Sequence, residues 1–342
     1  MRIAVYGAGA MGTILGAYIS RAGVPVDLIS RNEGHVAALN ARGAHIVGTV
    51  DFVQPVRALL PSQMQGEYDL IFLMTKQREN AQIAAFLRGY LRADGAVCTC
   101  QNGLPEPGLA AVLGADRVLG CAVAGGATFV GEGVSRLTSA PSALPFSLGA
   151  DGQSGRLADA QAALGCMGAV TVCDNFIGAR WSKLLINSAF SGLSAATGQT
   201  FGEIAGNKAS RRVAQRIMKE CIDVAKASGV RVEPVQGHRI DRLLDYKGPL
   251  KRALSFRLIP VAMKKHAGLV SGMLRDLQNG RRCEIDFICG AVCRSAGACG
   301  VPAPFNARTV EIVHGIEEGK YAVSPSNIAL YADLFGGKRK KS

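Results

Sequence analysis

A glycine-rich turn lies immediately after the first apolar run of the chain, Ile3–Tyr6, and before a helical pattern that covers about residues 13–22. The turn consists of Gly7, Ala8, Gly9, Ala10, Met11 and Gly12. In a strand–turn–helix unit, Gly7 permits the tight turn, Gly9 lets backbone amides approach a pyrophosphate, and Gly12 allows the helix to lie close to the sheet. The start of the helix offers unpaired N–H groups and a partial positive charge to phosphates. The pattern therefore predicts a dinucleotide-binding site.

The residue that follows the second predicted strand, Val26–Ile29, indicates which dinucleotide binds. An NAD enzyme places an acid at the end of this strand to bind the ribose diol, whereas this chain has Arg31. A guanidinium pairs with a phosphate through two hydrogen bonds, and a carboxylate would repel it. The sequence thus favours NADPH/NADP over NAD, with a solvated loop arginine as the alternative.

The chain of 342 residues is long enough for two domains. Short apolar runs at 70–74 and 96–100 alternate with helical stretches, as in a doubly wound parallel sheet, and 169–173 reads as the last strand. The glycine-rich stretch 120–133 is predicted to form strands and turns rather than a second phosphate loop. The fold class is therefore α/β, with an N-terminal Rossmann-type domain (1–173), a C-terminal all-helical domain (174–335) and a basic flexible tail (336–342).

Ten cysteines without a leading signal peptide indicate reduced thiols and a cytoplasmic protein. No complete zinc-ligand pattern appears, and Cys289 and Cys293, one helical turn apart, are interpreted as small buried residues. No metal is therefore expected. No segment offers about twenty consecutive apolar residues, so we expect a soluble chain with no membrane partner.

The net charge of +13 does not by itself indicate nucleic-acid binding. Four of the basic residues lie in the terminal run Lys338–Lys341, and another basic group lies within residues 237–266. Aromatic residues are sparse and do not alternate with the basic ones, so no nucleic acid is expected. The basic stretch 237–266 is interpreted as a solvated face, a lid or a contact in a homodimer.

Open parallel sheets bind ligands at the carboxyl ends of their strands, where two further residues are candidates. Lys76 follows the uncharged run at 70–75 and would place an ammonium beside a cofactor or an acidic substrate, with a plain surface lysine as the alternative. Asn102 follows the run at 96–100 and could bind a nicotinamide or a substrate oxygen, although Asn-Gly is also a common turn dipeptide.

In the second half, the stretch from Trp181 to Gly202 contains a single charged residue, Lys183. A helix that is apolar or small on all sides is buried, so its ammonium needs a partner, a ligand or water in a cleft. Asn187 and Ser191 follow at four-residue intervals on the same helical face. Desolvation lowers the pKa of a lysine and suits it as a proton donor, whereas a lysine that extends to solvent is the alternative.

Glu284 begins another apolar helix in the pattern of the sequence. Periodicity cannot bring it to Lys183, and an acid in a first helical turn ordinarily serves as a cap or as surface charge.

Taken in order, these residues resemble the ketopantoate reductases (2-dehydropantoate 2-reductases) nearly end to end. Besides the turn, Arg31 and Lys76, the similarity covers residues 101–103, 181–184 with Asn187, 273–276 and 284–286. The resemblance implies that a Rossmann domain binds NADPH and that a small 2-oxo acid is reduced in a cleft next to an all-helical domain. It also implies that Lys183 is the general acid, that Glu284 is its partner and a substrate contact, and that Asn102 contacts both coenzyme and substrate. Asn187, Ser191 and Ser271 would complete the substrate contacts.

The chain departs from the family pattern around the substrate. Gly272 stands where the family has serine, Ser191 replaces a second asparagine, and Cys289 replaces the asparagine of the Ile-Asp-x-Ile-Asn-Gly run. Since one missing buried hydrogen bond shifts substrate discrimination strongly, the acid is either 2-dehydropantoate or another branched or bulky 2-oxo acid. A non-catalytic NADP sensor is the third hypothesis, and it does not need a buried proton donor.

Overall fold

The computed structural model describes residues 1–140, 144–150, 152, 154–235 and 237–336, and the chain divides into two compact units, Met1–Phe176 and Ile177–Ser342. Apart from Gly336, the predicted basic tail lies outside the described residues.

Unit 1 contains twelve strands and five α-helices in its described part. The strands are β1 Ile3–Tyr6, β2 Val26–Ile29, β3 Ala44–Gly48, β4 Phe52–Gln54, β5 Arg57–Leu59, β6 Tyr68–Leu73, β7 Leu91–Thr99, β8 Val118–Val123, β9 Ala127–Gly131, β10 Val134–Leu137, β11 Phe146–Gly149 and β12 Val170–Val172. The helices are α1 Ala10–Arg21, α2 Glu33–Arg42, α3 Asn80–Arg88, α4 Glu106–Leu113 and α5 Leu157–Gly165, and short 3₁₀ helices cover Pro61–Gln63, Gln77–Glu79 and Ala115–Arg117.

The main sheet has eight strands in the order β12-β11-β8-β7-β6-β1-β2-β5. The six strands from β5 to β8 pair in parallel, which confirms the predicted doubly wound sheet, and β11 pairs antiparallel with β8. The chain crosses from β1 to β2 on one side and returns to β6 on the other. This reversal next to β1 is the point at which open α/β sheets bind ligands.

Alternate residues of the central strands supply two separate cores, one on each face of the sheet. Ile3 and Val5 pack in the cluster that includes α1 and α5, whereas Ala4 and Tyr6 pack in the cluster that includes α3 and α4. All four residues of β1 are buried because helices cover both faces. This is why the central strands are continuous apolar runs rather than alternating ones.

A second sheet of four strands, in the order β4-β3-β10-β9, was not predicted as a separate layer. The predicted strands and turns in the stretch 120–133 are confirmed as β8, β9 and the turn into β10. β9 is mostly exposed or half-buried, so its sequence lacks the apolar run that identifies the central strands.

The helix after the glycine turn begins earlier than predicted. The sequence pattern indicated about residue 13, but α1 starts at Ala10 and Gly9 is its N-cap residue. Ala10, Met11 and Gly12 therefore form the first turn of the helix. The prediction was wrong because the glycine at position 12 was counted as a turn residue, although it is tolerated in a helix that packs closely on its neighbours.

Unit 2 is helical in its described part, apart from one isolated β-bridge between Val235 and His238. Its α-helices are α6 Phe176–Ile186, α7 Gly192–Thr197, α8 Phe201–Gly206, α9 Lys208–Ala227, α10 Ile240–Leu244, α11 Pro249–Met263, α12 Gly272–Gln278, α13 Cys289–Cys299 and α14 Pro304–Glu317. A π-helical turn covers Asn187–Ser191, and 3₁₀ helices cover Lys264–His266, Ile285–Phe287 and Pro325–Phe335. None of the helices in the described ranges has the length and apolar character of a membrane span.

A buried acid joins two helices of unit 2. Glu220 on α9 accepts hydrogen bonds from the backbone amides of Phe305 and Asn306, at 2.8 and 2.9 Å, and from the Asn306 side chain at 2.8 Å. Burial raises the pKa of Glu220 to about 6, although these hydrogen bonds oppose the shift. The carboxyl group thus caps the first turn of α14 from a neighbouring helix.

His35 connects the glycine turn to the second sheet. Its Nδ1 accepts a hydrogen bond from the Gly133 amide at 2.9 Å, and its Nε2 lies 3.1 Å from Thr13 Oγ1, which donates to the Ala8 carbonyl. A neutral ring with its proton on Nε2 satisfies all three contacts. Burial lowers the pKa of this imidazole, whose residue is only 1% exposed.

The lowered pKa of His35 predicts an acid-sensitive fold. As the pH falls through about 6.5, the unfolded chain gains a proton that the folded ring resists, so stability is full above that pH and declines below it. We expect His35→Gln to lower unfolding stability at pH 7.5 by about 1 kcal/mol, because the ring contacts are lost. The same variant should lose less stability than the parent between pH 7.5 and 5.5. Urea unfolding at both pH values measures this, and an unchanged pH slope in the variant would assign the proton uptake to another group.

Candidate functional site

The glycine turn is fixed by close contacts with the ends of two neighbouring strands. The amides of Gly7 and Ala8 both donate to the Ile29 carbonyl at the end of β2, each at 2.9 Å. Gly7 has a φ of +103°, and a Cβ there would lie 2.7 Å from the backbone nitrogen of Thr75. A Cβ on Gly12 would lie 2.4 Å from the Gly7 carbonyl oxygen. Larger residues at these two positions would therefore displace backbone atoms.

Gly9 differs from the other two glycines because the space beside it is open. It is exposed, and a Cβ built there would meet no atom of the protein within 4 Å. Gly9 is the N-cap residue of α1, and as a glycine it has no side chain to accept hydrogen bonds from the first amides of the helix. The first turn of α1 contains no acidic residue. An anion can thus approach the amides at the start of a twelve-residue helix. These features fit the pyrophosphate of a dinucleotide.

Arg31 lies two residues after the end of β2, and its side chain is 71% exposed. Its Nη1 atom lies 2.8 Å from Oε2 of Glu79, which belongs to the 3₁₀ helix after β6. Burial raises the pKa of Tyr6 at the end of β1, and the nearby charges add smaller shifts, downward from Arg31 and upward from Glu79. The structure therefore brings the predicted phosphate-binding arginine close to the glycine turn, together with an acid that the sequence did not indicate.

Lys76 and Asn102 occupy two adjoining turns at the same edge of the sheet. Lys76 is exposed and precedes the 3₁₀ helix Gln77–Glu79, and β6 ends three residues before it, at Leu73. The side chain of Gln77 donates to the Asn102 carbonyl. Asn102 is half-buried and lies just before Gly103, whose φ is +80°, so the turn predicted from Asn-Gly is present as well.

Two amide side chains, of which the sequence indicated only Gln101, connect these turns by hydrogen bonds. Gln101 and Asn80 exchange hydrogen bonds of 2.7 and 2.9 Å, and Thr99 Oγ1 donates to Gln101 Oε1 at 2.9 Å. Gln101 directly precedes the predicted site residue Asn102, and Asn80 begins α3. Their pairing was invisible because it joins positions that lie 21 residues apart.

In unit 2, Lys183 and Asn187 lie one helical turn apart and are both half-buried. Lys183 belongs to the last turn of α6, and Asn187 begins the π-helical turn that ends at Ser191. The turn from Asn187 to Ser191 is π-helical rather than the regular α-helix that the four-residue spacing assumed, and a π turn holds more residues than an α turn. That Ser191 shares the face of Asn187 stays a prediction. Single π turns within α-helices occur frequently at functional sites.

Glu284 does not begin an α-helix, which corrects the prediction from its apolar surroundings. It is half-buried and precedes the 3₁₀ helix Ile285–Phe287, and α13 starts only at Cys289. Cys289 Sγ lies 3.5 Å from the carbonyl oxygen of Ser188, within the π turn. The start of α13 therefore packs directly on the π turn that contains Asn187.

Ser271 has a structural role in unit 2. It is 2% exposed, its hydroxyl accepts a hydrogen bond from the Leu274 amide at 3.1 Å, and its own amide donates to Ser194 Oγ at 3.2 Å. It is the N-cap residue of α12, which packs on the π turn and on α7. A Cβ added to the next residue, Gly272, would meet no atom within 4 Å.

Arg180, which the sequence analysis did not single out, is 1% exposed and is among the largest fully buried side chains of the described residues. It lies one turn before Lys183 on α6. A buried guanidinium requires compensating partners. Arg180 lies just before the stretch 181–202, so Lys183 remains the single charge of that stretch and α6 carries one further, buried cation.

All ten cysteines are free thiols, and Cys289 is fully buried, whereas Cys293 and Cys299 are half-buried. Within the described ranges, no group of three or more His, Cys, Asp or Glu side chains could hold a metal ion. Burial raises the pKa of Cys289 well above its usual range, which keeps this thiol protonated.

The basic stretch 237–266 folds mainly into α10 and α11. The outer face of α11 carries exposed Leu250, Leu254 and Val261, with basic side chains such as Lys251 and Arg257 also exposed. The roles predicted for this stretch, as a lid or a homodimer contact, stay predictions.

Comparison with known proteins shows similarity along almost the whole chain. Residues 3–148 match the family model described as ketopantoate reductase PanE/ApbA, and residues 175–317 match the model for the C-terminal part of the same family. The 2-dehydropantoate 2-reductase of Pyrococcus horikoshii is 26% identical over 309 residues, which cover 90% of this chain and 94% of that protein.

Two solved structures share the fold. A PanE/ApbA family ketopantoate reductase from Ralstonia eutropha JMP134 superposes with a TM-score of 0.78 at 28% identity, over 94% of this chain and 99% of that one. D-mandelate dehydrogenase in a ternary structure with NADH and anilino(oxo)acetate has a TM-score of 0.79 at 21% identity, over 93% and 99% of the two chains.

The contrast between Gly9 and Gly12 predicts different effects of the same substitution. Gly12→Ala should destabilise the protein by about 1–3 kcal/mol, because its methyl group would overlap the Gly7 carbonyl. Gly9→Ala should cost less than about 1 kcal/mol, since its Cβ meets open space, yet it should weaken dinucleotide binding about tenfold by filling that space. Thermal unfolding and coenzyme titration of both variants measure the two effects. Undiminished binding by Gly9→Ala would show that phosphates do not approach this turn.

Proposed function

Since the chain belongs to the ketopantoate reductase PanE/ApbA family, we propose that it catalyses the NADPH-dependent reduction of 2-dehydropantoate to pantoate, the reaction that serves pantothenate biosynthesis. The observation that carries the proposal is that the chain has both parts of the expected site. The glycine turn leaves open space beside Gly9, while Gly7 and Gly12 have no room for a side chain. The half-buried Lys183 lies one helical turn before Asn187. The 2-dehydropantoate 2-reductase from Pyrococcus horikoshii supports the same activity.

We propose residues 1–173 as the coenzyme-binding domain and residues 174–335 as the domain that binds substrate. Gly7, Gly9 and the first-turn amides of α1, from Ala10 to Gly12, would hold the pyrophosphate, and Arg31 would bind the 2′-phosphate. Lys76 and the Asn102 side chain lie at the same sheet edge and would contact the nicotinamide half of the coenzyme or the carboxylate of the acid. When bound, NADPH supplies a hydride to the carbonyl carbon of the substrate.

The residues of the chain then have to stabilise and protonate the carbonyl oxygen. We assign this role to Lys183, whose ammonium would donate a hydrogen bond to the oxygen and then transfer its proton. Glu284 would orient and balance that ammonium, and Asn187 would hold a polar group of the substrate. Ser191, at the end of the π turn, would contact the substrate beside Asn187, and Ser271 would contribute by fixing the start of α12.

Removal of the proposed proton donor provides a direct test. Lys183→Ala should lower kcat by about 10²- to 10⁴-fold, the range expected for loss of general acid catalysis, while NADPH affinity remains close to that of the parent. Lys208→Ala, an exposed lysine at the start of α9, is the matched control and should keep full turnover. Absorbance of NADPH with 2-dehydropantoate follows the reaction. Full turnover by Lys183→Ala would rule out the assigned role.

A second candidate substrate, another branched or bulky 2-oxo acid, is favoured by two residues, one at the start of α12 and one at the start of α13. Gly272 leaves open space and supplies no hydroxyl where the family pattern has serine, and the family asparagine at the start of α13 is replaced by the buried Cys289. Both changes remove polar groups, which would favour a larger or less polar substrate side chain.

Restoring the family serine separates the two substrates. If Gly272 faces the substrate, Gly272→Ser should raise kcat/KM for 2-dehydropantoate by about tenfold, equivalent to one hydrogen bond, and lower it for bulkier branched 2-oxo acids. Steady-state kinetics with a panel of 2-oxo acids measures the ratio. An equal change for all acids would show that the position does not determine substrate choice.

A further inference from the structure

Glu79 occupies an unusual position for an acidic residue at the start of a helix. It is the N-cap residue of α3, where a carboxylate ordinarily accepts a hydrogen bond from the second or third amide of the helix. No side-chain cap is formed in this case. The carboxylate instead lies 2.8 Å from the guanidinium of Arg31, which is 48 residues away in the sequence.

The location of this ion pair connects it to the coenzyme. Arg31 follows the end of β2, whose last carbonyl, that of Ile29, holds the amides of the glycine turn. Glu79 follows the end of β6, the neighbour of β1 on its other side. Both charges therefore lie at the carboxyl edge of the sheet beside the glycine turn, where the adenosine ribose of a dinucleotide is bound in this type of fold.

The two charges favour different forms of the ribose. A 2′-phosphate needs the guanidinium, but it would have to displace the Glu79 carboxylate and then remain near its negative charge. A free 2′-hydroxyl can donate a hydrogen bond to a carboxylate, the role that an acid at the end of β2 has in NAD enzymes. The pair thus combines a phosphate-binding cation with a diol-binding acid supplied by a different strand.

We propose that Glu79 is a specificity-determining residue that reduces the preference for NADPH and lets the site also accept NADH. This inference rests on the proposed function, because it assigns a further residue to the same coenzyme site. An exposed ion pair contributes little to folding, between about 0 and 1 kcal/mol, so a purely structural role would leave the relative affinity for the two coenzymes unchanged.

Direct binding of each coenzyme to the full chain, without substrate, tests the proposal by isothermal titration calorimetry with NADPH and with NADH. Glu79→Gln should tighten NADPH binding about three- to tenfold, because a repelling charge is removed and Arg31 is released. It should weaken NADH binding by a similar factor, because the neutral amide accepts a weaker hydrogen bond than the carboxylate.

Glu33→Gln is the matched control, because it removes the same charge from an exposed residue in the first turn of α2, two positions after Arg31. It should leave the ratio of the two dissociation constants within about twofold of the parent, the scatter expected for a surface change. Equal shifts in both coenzymes for Glu79→Gln, or an equal shift in the ratio for Glu33→Gln, would overturn the inference. Failure of the parent protein to bind either coenzyme would contradict the proposed function itself.

Discussion

The steric contact between the start of α1 and the end of β1 is the constraint on which the carboxyl edge of the main sheet in unit 1 depends. Gly12 leaves no room for a side chain against the Gly7 carbonyl, and Gly7 leaves none against Thr75 after β6. Together with the hydrogen bonds to Ile29 after β2, these contacts hold three strand ends at one point. The positions of Arg31, Lys76 and Glu79 follow from this arrangement, because each lies within six residues of one of those strand ends.

The contacts that form this edge tolerate substitution poorly, whereas the charges that would bind the ligand tolerate it well. The glycine contacts are short, apolar or backbone-mediated, and intolerant of added volume. The charged pair at 2.8 Å is exposed, so either partner can change with little effect on folding. On the proposed assignments, single substitutions at Arg31 or Glu79 would therefore shift coenzyme preference, whereas binding of the pyrophosphate would depend on residues that the fold itself fixes.

The sequence predicted those parts of unit 1 in which local pattern and burial agree. β1 and β2 were predicted with correct bounds because both faces of these strands are buried, so that nearly every residue is apolar and Asp27 in β2 is the one exception. The second sheet was missed because β9 is half-exposed and β4 has only three residues. The Gln101–Asn80 and Arg31–Glu79 pairs were missed for another reason, since each joins residues far apart in sequence through tertiary contacts that no periodicity encodes.

In unit 2 the difference between pattern and structure lies in the π turn. A periodicity of 3.6 residues correctly places Lys183 and Asn187 one helical turn apart. Lys183 belongs to α6, and the irregular turn begins only at Asn187. From Asn187 to Ser191 the turn is π-helical, so the period of 3.6 residues does not describe this turn. The carbonyl of Ser188, inside that turn, lies next to the Cys289 thiol at the start of α13. The π turn, which the sequence did not predict, is thus also the place where the chain after Lys183 contacts the start of α13, after Glu284.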